Sequence, residues 1–445
     1  MYDKLKAEDP EVFVIMEKEL ERQRRGLEMI PSENYTSMAV MEACGSILTN
    51  KYSEGYPGKR YYGGNQFIDL SERLAQERCK SLFGVEHVNV QPYSGSPANM
   101  AVYLSVCSVG DTIMGQDLSH GGHLTHGSKA SETGKLFKSV PYHVKQDGYI
   151  DIDEARKLAE ENKPKLIWVG STAYSREFPF KEFAEIADSV GAYLAADISH
   201  IGGLVAAGLH ESPVPYAHII TTTTHKTLRG PRAALIMVTK KGLDKDPELA
   251  EKIDKTIFPG MQGGPHEHTI AGVAVALKEA ATPEFKEYAK QIVLNSKALA
   301  KSLIANGLTV PTGGTDNHMM LVDLTPFGIG LGGFAQDALG AAGITVNKNT
   351  TPGEKSTPFY PSGIRLGTPA LTTRGMKEPE MEVIGKIISE AIGEIKNLSL
   401  PEGKEERQKY LSAFRVNIQQ NKKLLDLNAM VVDLSNRFPL YPELN

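Results

Sequence analysis

The chain has 445 residues, more than one hydrophobic core usually organises, so we expect two domains. Its 49 basic and 54 acidic residues give a formal net charge of −5 without any basic block, which argues against nucleic-acid binding. Three scattered cysteines argue against a disulfide framework and a cysteine-based metal site. A polar N-terminus and the lack of any long apolar run lead us to expect a cytoplasmic protein without a membrane segment.

The N-terminal part is predicted to be a polar, mainly helical arm over residues 1–50. A loop over 51–65 follows that is rich in glycine and tyrosine. It is too polar for the core and too aromatic for a linker, and long ordered loops of this kind are more often functional than disordered.

Short apolar runs alternate with amphipathic stretches between residues 74 and 280, which indicates strands alternating with helices. We predict the strands at 87–90, 111–117, 164–174, 192–199 and 217–224, and the helices at 97–107, 151–162 and 181–191. Because the strands are continuously apolar, we expect a mostly parallel sheet covered by helices. This region, residues 51–281, is the predicted large domain.

After residue 282 the pattern changes to a long amphipathic helix over 283–307. A strand at 318–324 and two further helical stretches follow. We therefore expect a smaller α+β domain over 282–445.

A candidate phosphate site lies at Ser94-Gly95-Ser96-Pro97, between a predicted strand and a predicted helix. Pro97 suits the first helical position, where its missing N–H costs nothing. The free backbone N–H groups and the positive end of the helix dipole then favour an anion. The same pattern also occurs in turns that bind no ligand.

Asp197 and Lys226 follow two neighbouring apolar strands. Because open α/β sheets bind ligands at the carboxyl ends of their strands, we expect both side chains to face one crevice. A lysine there can form a Schiff base, and an aspartate can pair with a pyridinium nitrogen, which is the combination used with pyridoxal phosphate. The alternative from these two residues alone is a structural ion pair.

The residues around the lysine add four threonines, Thr221 to Thr224, whose hydroxyls are expected to donate to a phosphate, and the two arginines Arg229 and Arg232, which are expected to add positive charge. With them the sequence closely resembles serine hydroxymethyltransferase, a family of fold-type I pyridoxal-phosphate enzymes. The resemblance runs along the chain through PSENYTS (31–37), KYSEGYPGKRYYGGN (51–65), SGSPAN (94–99), DLSHGGHLTHG (117–127), DISHIGGLVAAG (197–208), TTTTHKTLRGPR (221–232), FPGMQGGP (258–265), TDNHMMLVDL (315–324), VNKN (346–349) and SGIRLGTPA (362–370). It implies an α/β large domain with a mostly parallel, seven-stranded sheet.

The resemblance implies that Lys226 binds pyridoxal phosphate covalently, that Asp197 pairs with the pyridine nitrogen, and that His123 stacks on the ring. It assigns Thr223 and His225 to catalysis beside the lysine. Further cofactor contacts are implied for Tyr52, Ser94, Gly95, Ser96, Thr172, His200 and Gly263. The family donates the contacts of Tyr52 and Gly263 from the neighbouring subunit, which implies a homodimer with shared active sites.

The implied reaction is the reversible transfer of the hydroxymethyl group of L-serine to tetrahydrofolate or a related pterin, which gives glycine and 5,10-methylenetetrahydrofolate. Arg365 matches the residue that binds the serine carboxylate in bidentate fashion, and Glu54 is the candidate for proton transfer at the substrate hydroxyl. Other substrate contacts are implied for Ser32, Tyr62, His200 and Arg232. The implied pterin site comprises Glu54, Tyr61, Leu118, Gly122, His123, Leu124, Asn349, Thr357, Pro358 and Phe359.

Three alternatives remain open at this point. A threonine or allothreonine aldolase and a methylserine hydroxymethyltransferase share the fold and the cofactor. A non-catalytic relative would serve as a scaffold or a regulator. We expect no metal, because His120, His123 and His126 lack the cysteines or clustered carboxylates of a zinc site.

The sequence departs from the family at a few positions close to these motifs. Thr172 stands where the family usually has serine, and Ser199 where it usually has alanine. The segment 351–360, beside the implied pterin site, also differs from the commonest bacterial form. These differences leave a methanopterin or another folate-like carrier open.

Overall fold

The computed structural model describes residues 2–444, which divide into two compact units. The larger unit comprises Asn34–Gln291, and the smaller unit combines the residues up to Glu33 with those from Ile292 onward. The boundaries between the units, 33/34 and 291/292, therefore differ from the predicted domain boundaries, 50/51 and 281/282. Among the described residues no helix is long and apolar enough to cross a membrane.

Helices and strands are numbered here in chain order. The α-helices are α1 (Asp3–Glu8), α2 (Pro10–Arg25), α3 (Met38–Cys44), α4 (Gln66–Phe83), α5 (Gly95–Val106), α6 (Glu132–Leu136), α7 (Ile152–Asn162), α8 (Phe180–Val190), α9 (Gly202–Ala206), α10 (Lys240–Lys245), α11 (Leu249–Lys255), α12 (Glu267–Ala280), α13 (Pro283–Ala305), α14 (Gly332–Ala341), α15 (Pro369–Thr373), α16 (Glu378–Gly393), α17 (Lys404–Ile418) and α18 (Lys422–Arg437). The strands are β1 (Leu27–Glu28), β2 (Gly55–Tyr56), β3 (Lys59–Arg60), β4 (His87–Asn89), β5 (Thr112–Gln116), β6 (Lys138–Tyr142), β7 (Leu166–Val169), β8 (Tyr193–Asp197), β9 (Ile219–Thr223), β10 (Ala234–Val238), β11 (Met319–Asp323), β12 (Ile344–Thr345), β13 (Asn347–Asn349) and β14 (Gly363–Gly367).

A seven-stranded sheet forms the centre of the larger unit, in the order β4-β10-β9-β8-β7-β5-β6. β10 runs antiparallel to both of its neighbours, while the other pairings are parallel. This confirms the predicted mostly parallel sheet and each of the five predicted strands. The sequence analysis did not single out β6 and β10, which also belong to the sheet.

The strands are apolar because both faces of the sheet are buried. All four residues of β7, Leu-Ile-Trp-Val, are buried, and Trp168 has no exposed surface. Helix α5 packs against β9 and β10, and α8 packs against β7 and β8. The polar residues Asp197 and Thr223 therefore come at the ends of their strands, where the buried part of the sheet stops.

Residues 34–50 belong to the larger unit because their polar groups bond to it. Asn34 donates to the carbonyl oxygen of Lys226 at 2.9 Å, and Thr36 donates to that of Arg229 at 2.7 Å. The Ser37 hydroxyl, which caps α3, donates to Glu279 of α12 at 2.6 Å. Local periodicity does not reveal such distant partners, so the helical character of this segment did not show where it packs.

The smaller unit contains a three-stranded antiparallel sheet in the order β11-β14-β13. The N-terminal segment joins it through β1, which pairs in parallel with β12. Leu27 and Met29 are fully buried in the same hydrophobic core as α14, α16 and α18. Five helices follow β11, α14 to α18, where the sequence predicted two helical stretches.

Candidate active site

A cleft opens at the carboxyl ends of β8 and β9 and contains both Asp197 and Lys226. Its lining is almost entirely polar and consists of Gly95, Asn99, His123, His126, Ser171, Thr172, Asp197, Ser199, His200, Thr223 and Lys226. Seven of these residues were predicted as cofactor contacts: Gly95, His123, Thr172, Asp197, His200, Thr223 and Lys226.

Asp197 is held as a carboxylate by hydrogen-bond donors. Oδ2 accepts from Asn99 Nδ2 at 2.9 Å and from His126 Nε2 at 3.1 Å, and Oδ1 accepts from the Ser199 amide at 3.0 Å. Burial on its own raises the pKa of Asp197, but the hydrogen bond and charge of His126 outweigh burial and hold the pKa well below its ordinary value. The charged form can therefore face a cation in the cleft.

His126 and Asn99 are site residues that the sequence analysis missed as ligands of Asp197. The His126 ring is buried and stacks on Trp168, with centroids 5.1 Å apart and planes 12° apart. Asn99 accepts from Thr221, the β-sheet partner of Asp197, at 2.8 Å while it donates to Asp197. A signal existed in both cases, since Asn99 ends the SGSPAN motif and His126 lies in the histidine-rich loop, but neither motif shows which side chain points inward.

Lys226 lies three residues beyond the end of β9, and its Nζ donates to Thr223 Oγ1 at 3.0 Å. The Thr223 amide donates to Ser199 Oγ at 3.0 Å. Ser199, at a position where the family usually has alanine, therefore links the segment after β8 to the end of β9 beside the lysine. The expectation that the threonine run supplies several phosphate donors is wrong. The Thr221, Thr222 and Thr224 hydroxyls donate to protein oxygens, because these residues are buried in the sheet and its following turn.

Helix α5 begins at Gly95, so Pro97 is its third residue and not the first as predicted. A proline is tolerated there because the first-turn N–H groups of a helix lack intrahelical acceptors. Ser94 is the N-cap but makes no side-chain capping bond, which leaves its hydroxyl and the Gly95 and Ser96 amides open to an anion. A Cβ on Gly95 would lie 2.9 Å from Thr223 Cγ2, so only glycine lets the helix start this close to β9.

The loop that carries His123 is fixed from both sides. The Nδ1 atom of His123 accepts from the Thr125 amide at 3.2 Å, and the Thr125 hydroxyl accepts from the Asn99 side chain. Thr172 donates from its amide to the Gly121 carbonyl at 2.7 Å, which ties this loop to the end of β7. Leu118 and Leu124, predicted to contact the pterin, are partly exposed on the same loop, and Gly122 packs against the backbone of Gln116.

His225 and Arg232 form a pair beside the lysine, and Arg232 Nη1 donates to His225 Nε2 at 3.4 Å. Burial and the neighbouring positive charges lower the pKa of His225 to about 3, so its ring is neutral. Arg229 points elsewhere, since its guanidinium lies 4.0 Å from the centroid of the Tyr288 ring. Neither arginine is among the residues that line the cleft.

Tyr52, Glu54 and Gly263 lie together in a second cluster. Tyr52 donates to Glu54 Oε1 at 3.2 Å and packs edge-on against Tyr62 at 4.9 Å between centroids. Tyr52 and Glu54 leave little room for a side chain at residue 263, because a Cβ on Gly263 would lie 3.1 Å from Glu54 Oε1. Of the described residues that line the Lys226 cleft, none belongs to this cluster.

A buried ionic network lies beneath that cluster. The Arg60 side chain is 4% exposed and forms ion pairs with Asp69 at 2.9 Å, Glu72 at 2.6 Å and Glu267 at 3.8 Å. Burial, followed by the charge of Glu72, raises the pKa of Glu267 to about 7, although Ser53 donates to its Oε1 at 2.6 Å. The convergence of these acids could not be predicted from local patterns, because Asp69 and Glu72 lie on α4 and Glu267 lies on α12.

The remaining predicted site residues lie in the smaller unit. Arg365 is buried on β14, and its Nε donates to Asn347 Oδ1 at 3.0 Å. Burial lowers the pKa of Arg365 to about 10. Ser32 is partly buried before Asn34, Asn349 ends β13, and the 357–359 turn leaves Phe359 78% exposed.

Among the described residues, no three histidine, cysteine, aspartate or glutamate side chains are placed to hold a metal ion. The model of the serine hydroxymethyltransferase family matches residues 5–388. The chain belongs to the serine hydroxymethyltransferase family. It is therefore a pyridoxal-phosphate-dependent enzyme of one-carbon metabolism that transfers the hydroxymethyl group of serine to tetrahydrofolate.

The cleft fits the cofactor of this family on three structural grounds. An ionised carboxylate at Asp197 suits a protonated ring nitrogen. The uncapped start of α5 suits a phosphate. Lys226 lies in the same cleft, within reach of an aldehyde held between these two ends.

We expect His126→Phe to weaken cofactor binding about tenfold or more and to destabilise the enzyme by ~3 kcal/mol, because it keeps a ring against Trp168 but removes a donor to a buried carboxylate. Cofactor titration and denaturant unfolding would measure both effects. His143→Phe is the matched control, since it removes a histidine from a half-exposed pair with Glu154 and should cost under ~1 kcal/mol. Equal effects of the two substitutions would contradict a special role for His126.

We also expect Glu267→Gln to change how stability depends on pH. The folded pKa of about 7 lies above the ordinary 4.5, so the folded enzyme retains a proton that the unfolded chain releases between these values. The free energy of unfolding therefore falls as pH rises through that range, by up to roughly 3 kcal/mol from this group. Urea unfolding should show that the free energy of unfolding falls less between pH 5 and pH 8 for Glu267→Gln than for the wild type. An unchanged difference would mean that Glu267 titrates normally.

Proposed function

We propose that Lys226 carries pyridoxal phosphate covalently and that the cleft around it is the catalytic site of this hydroxymethyltransferase. The observation that carries the proposal is the ionised Asp197 in the same cleft as the Lys226 amine, at the ends of adjacent strands. An ion pair between the two would be the alternative, but Lys226 donates to Thr223 and Asp197 is bonded by Asn99, His126 and Ser199.

When bound, pyridoxal phosphate supplies an electron sink for the electron pair left on the amino-acid substrate as its bonds break. Asp197 would keep a proton on the ring nitrogen, since Asn99 and His126 donate to its carboxylate. Ser94, Gly95 and Ser96 would hold the phosphate at the start of α5, and Thr172 and His200, which line the cleft, would contact the cofactor. His123, whose Nδ1 accepts from the Thr125 amide, would stack on the ring.

We assign the serine carboxylate to Arg365. Its guanidinium is buried on β14, where burial lowers its pKa, and its planar fork can donate two parallel hydrogen bonds to a carboxylate. Ser32, His200, Tyr62 and Arg232 are the other proposed substrate contacts. Thr223 and the neutral His225 flank the lysine and are proposed to position its amine.

We propose that Glu54 moves the proton at the substrate hydroxyl, and that it acts in the active site of a second subunit. The cluster of Tyr52, Glu54 and Gly263 does not line the Lys226 cleft of its own chain, so it must meet a cleft from elsewhere to contact substrate. An exposed apolar surface lies close in sequence to this cluster: Ile47 is 82% exposed, and Phe67, Leu70 and Leu74 on one face of α4 are 72%, 60% and 40% exposed. A second copy of the chain would bury this surface in a homodimer.

For the pterin we propose the residues that the resemblance to the family implies: the partly exposed Leu118 and Leu124, with Gly122, His123, Tyr61, Glu54, Asn349 and Thr357-Pro358-Phe359. Exposed apolar side chains beside a polar cleft suit a flat heteroaromatic ring. Tetrahydrofolate is the proposed carrier. The free thiols of Cys44, Cys79 and Cys107 fit the reducing conditions of the cytoplasm, where we propose that the enzyme acts.

Borohydride treatment should attach the cofactor permanently to wild-type enzyme and not to Lys226→Ala, because borohydride converts the imine between a lysine amine and the aldehyde into a stable secondary amine. The intact mass of the protein measures the attachment. Lys252→Ala, at an exposed ion pair, is the control and should be labelled like the wild type. Labelled Lys226→Ala would place the covalent bond on another lysine.

Glu54→Gln should still bind serine, so that serine changes the cofactor absorbance as it does in the wild type. The variant should transfer the one-carbon unit at least ~100-fold more slowly, because a group that transfers a proton contributes about that much to the rate. Turnover with serine and tetrahydrofolate measures the loss. A variant with wild-type turnover would remove Glu54 from the reaction.

Shared active sites make a separate prediction for mixed dimers. When Lys226→Ala and Glu54→Gln chains are co-expressed, each heterodimer should regain one site with both native residues, and random assembly should restore about one quarter of wild-type activity. Neither variant alone should approach this value. If each site were built within one chain, mixing would restore nothing.

A further inference from the structure

The segment that carries Glu54 is held mainly through its backbone, and the glutamate side chain accepts one hydrogen bond, from Tyr52 at 3.2 Å. Arg60 Nη1 donates to the carbonyl oxygen of Ser53 at 2.7 Å and to that of Gly55 at 2.9 Å. The carbonyl of Glu54 accepts from the Tyr61 amide at 3.0 Å. Three consecutive carbonyls are therefore bonded, while Ser53 and Gly55 are buried and the Glu54 side chain is left partly exposed.

The guanidinium that holds these carbonyls is itself fixed by acids. Nε donates to Asp69 at 2.9 Å and Nη2 donates to Glu72 at 2.6 Å, both on α4. The geometry is that of a fork, so one side chain satisfies two carbonyls and two carboxylates at once. A lysine could not reproduce it with one ammonium group.

The same network also reaches the second segment of the cluster. The Ser53 hydroxyl donates to Glu267 at the start of α12, four residues after Gly263. Gln91 donates to the Gly55 carbonyl and to Glu72, both at 2.9 Å. The two segments that bring Tyr52, Glu54 and Gly263 together are thus joined beneath the surface by buried polar bonds.

We propose that Arg60 is a positioning residue for Glu54, which sets the direction of its carboxylate by holding the carbonyls on both sides of it. The inference rests on the proposed role of Glu54 in proton transfer. It follows from the geometry because the backbone torsions of residues 53–55 decide where the carboxylate points, and a misplacement of about 1 Å can cost a reaction step on the order of 100-fold.

The test compares Arg60→Lys, Glu54→Gln and the double variant as full-length, cofactor-loaded enzymes. We expect Arg60→Lys to lower kcat for transfer to tetrahydrofolate at least ~10-fold while KM for serine and the serine-induced absorbance change stay near wild type. The double variant should be no slower than Glu54→Gln alone, because a misdirected group that is already inactive cannot lose more. A purely structural role would instead make the two losses multiply.

Arg374→Lys is the matched control. Arg374 is also buried and donates to backbone carbonyls, those of Phe438 at 3.0 Å and Gly26 at 2.8 Å, but it belongs to the smaller unit and to no proposed site. It should lower the thermal midpoint while kcat stays within about twofold of wild type. If both arginine variants lost kcat equally, the loss would reflect stability and the inference would fail.

A second variant covers the case in which Arg60→Lys does not fold. Ser53→Ala removes only the bond to Glu267, and it should lower kcat by a smaller factor that is also absent in a Glu54→Gln background. Wild-type kcat in whichever of these two variants folds would overturn the inference while leaving Glu54 in place. Wild-type turnover of Glu54→Gln would instead overturn the proposed function, and the inference with it.

Discussion

The charge on Asp197 is the constraint on which the rest of the active site depends. A carboxylate buried at the end of a strand is costly unless donors surround it, and here three groups from three segments provide them. Each donor is held in turn: His126 by stacking on Trp168, Asn99 by the Thr221 hydroxyl, and the Ser199 amide by the turn after β8. The cofactor ring of this family therefore meets a negative charge that exists before the ring arrives, which is electrostatic preorganisation.

The same sheet end explains why the lysine, the aspartate and the candidate phosphate site lie close together. Parallel strands finish at one edge, so β8 and β9 place Asp197 opposite Thr221, and Thr223 and Lys226 follow at the same edge. Helix α5 starts against that edge only because residue 95 has no Cβ. The antiparallel β10 returns the chain behind Lys226 and pairs with β9 over its whole length, which holds the turn that contains the lysine.

Much of this arrangement could be predicted from the sequence. The strands ending at Asp197 and Thr223 were visible because continuous apolar runs with a polar end have few other interpretations. The Arg60 network could not be predicted, since its acids lie on helices far apart in the chain and a buried glutamate looks like any other until its surroundings are known. The same holds for Leu27, whose two-residue strand pairs with residues more than three hundred positions away.

The placement of Trp168 has a spectroscopic consequence. It is the single tryptophan of the chain, has no solvent-exposed surface, and stacks on the histidine that donates to Asp197. All of the indole fluorescence of the enzyme therefore originates one ring away from the Asp197 carboxylate. Its emission reports on the centre of the candidate active site, without a label and without background from any other tryptophan.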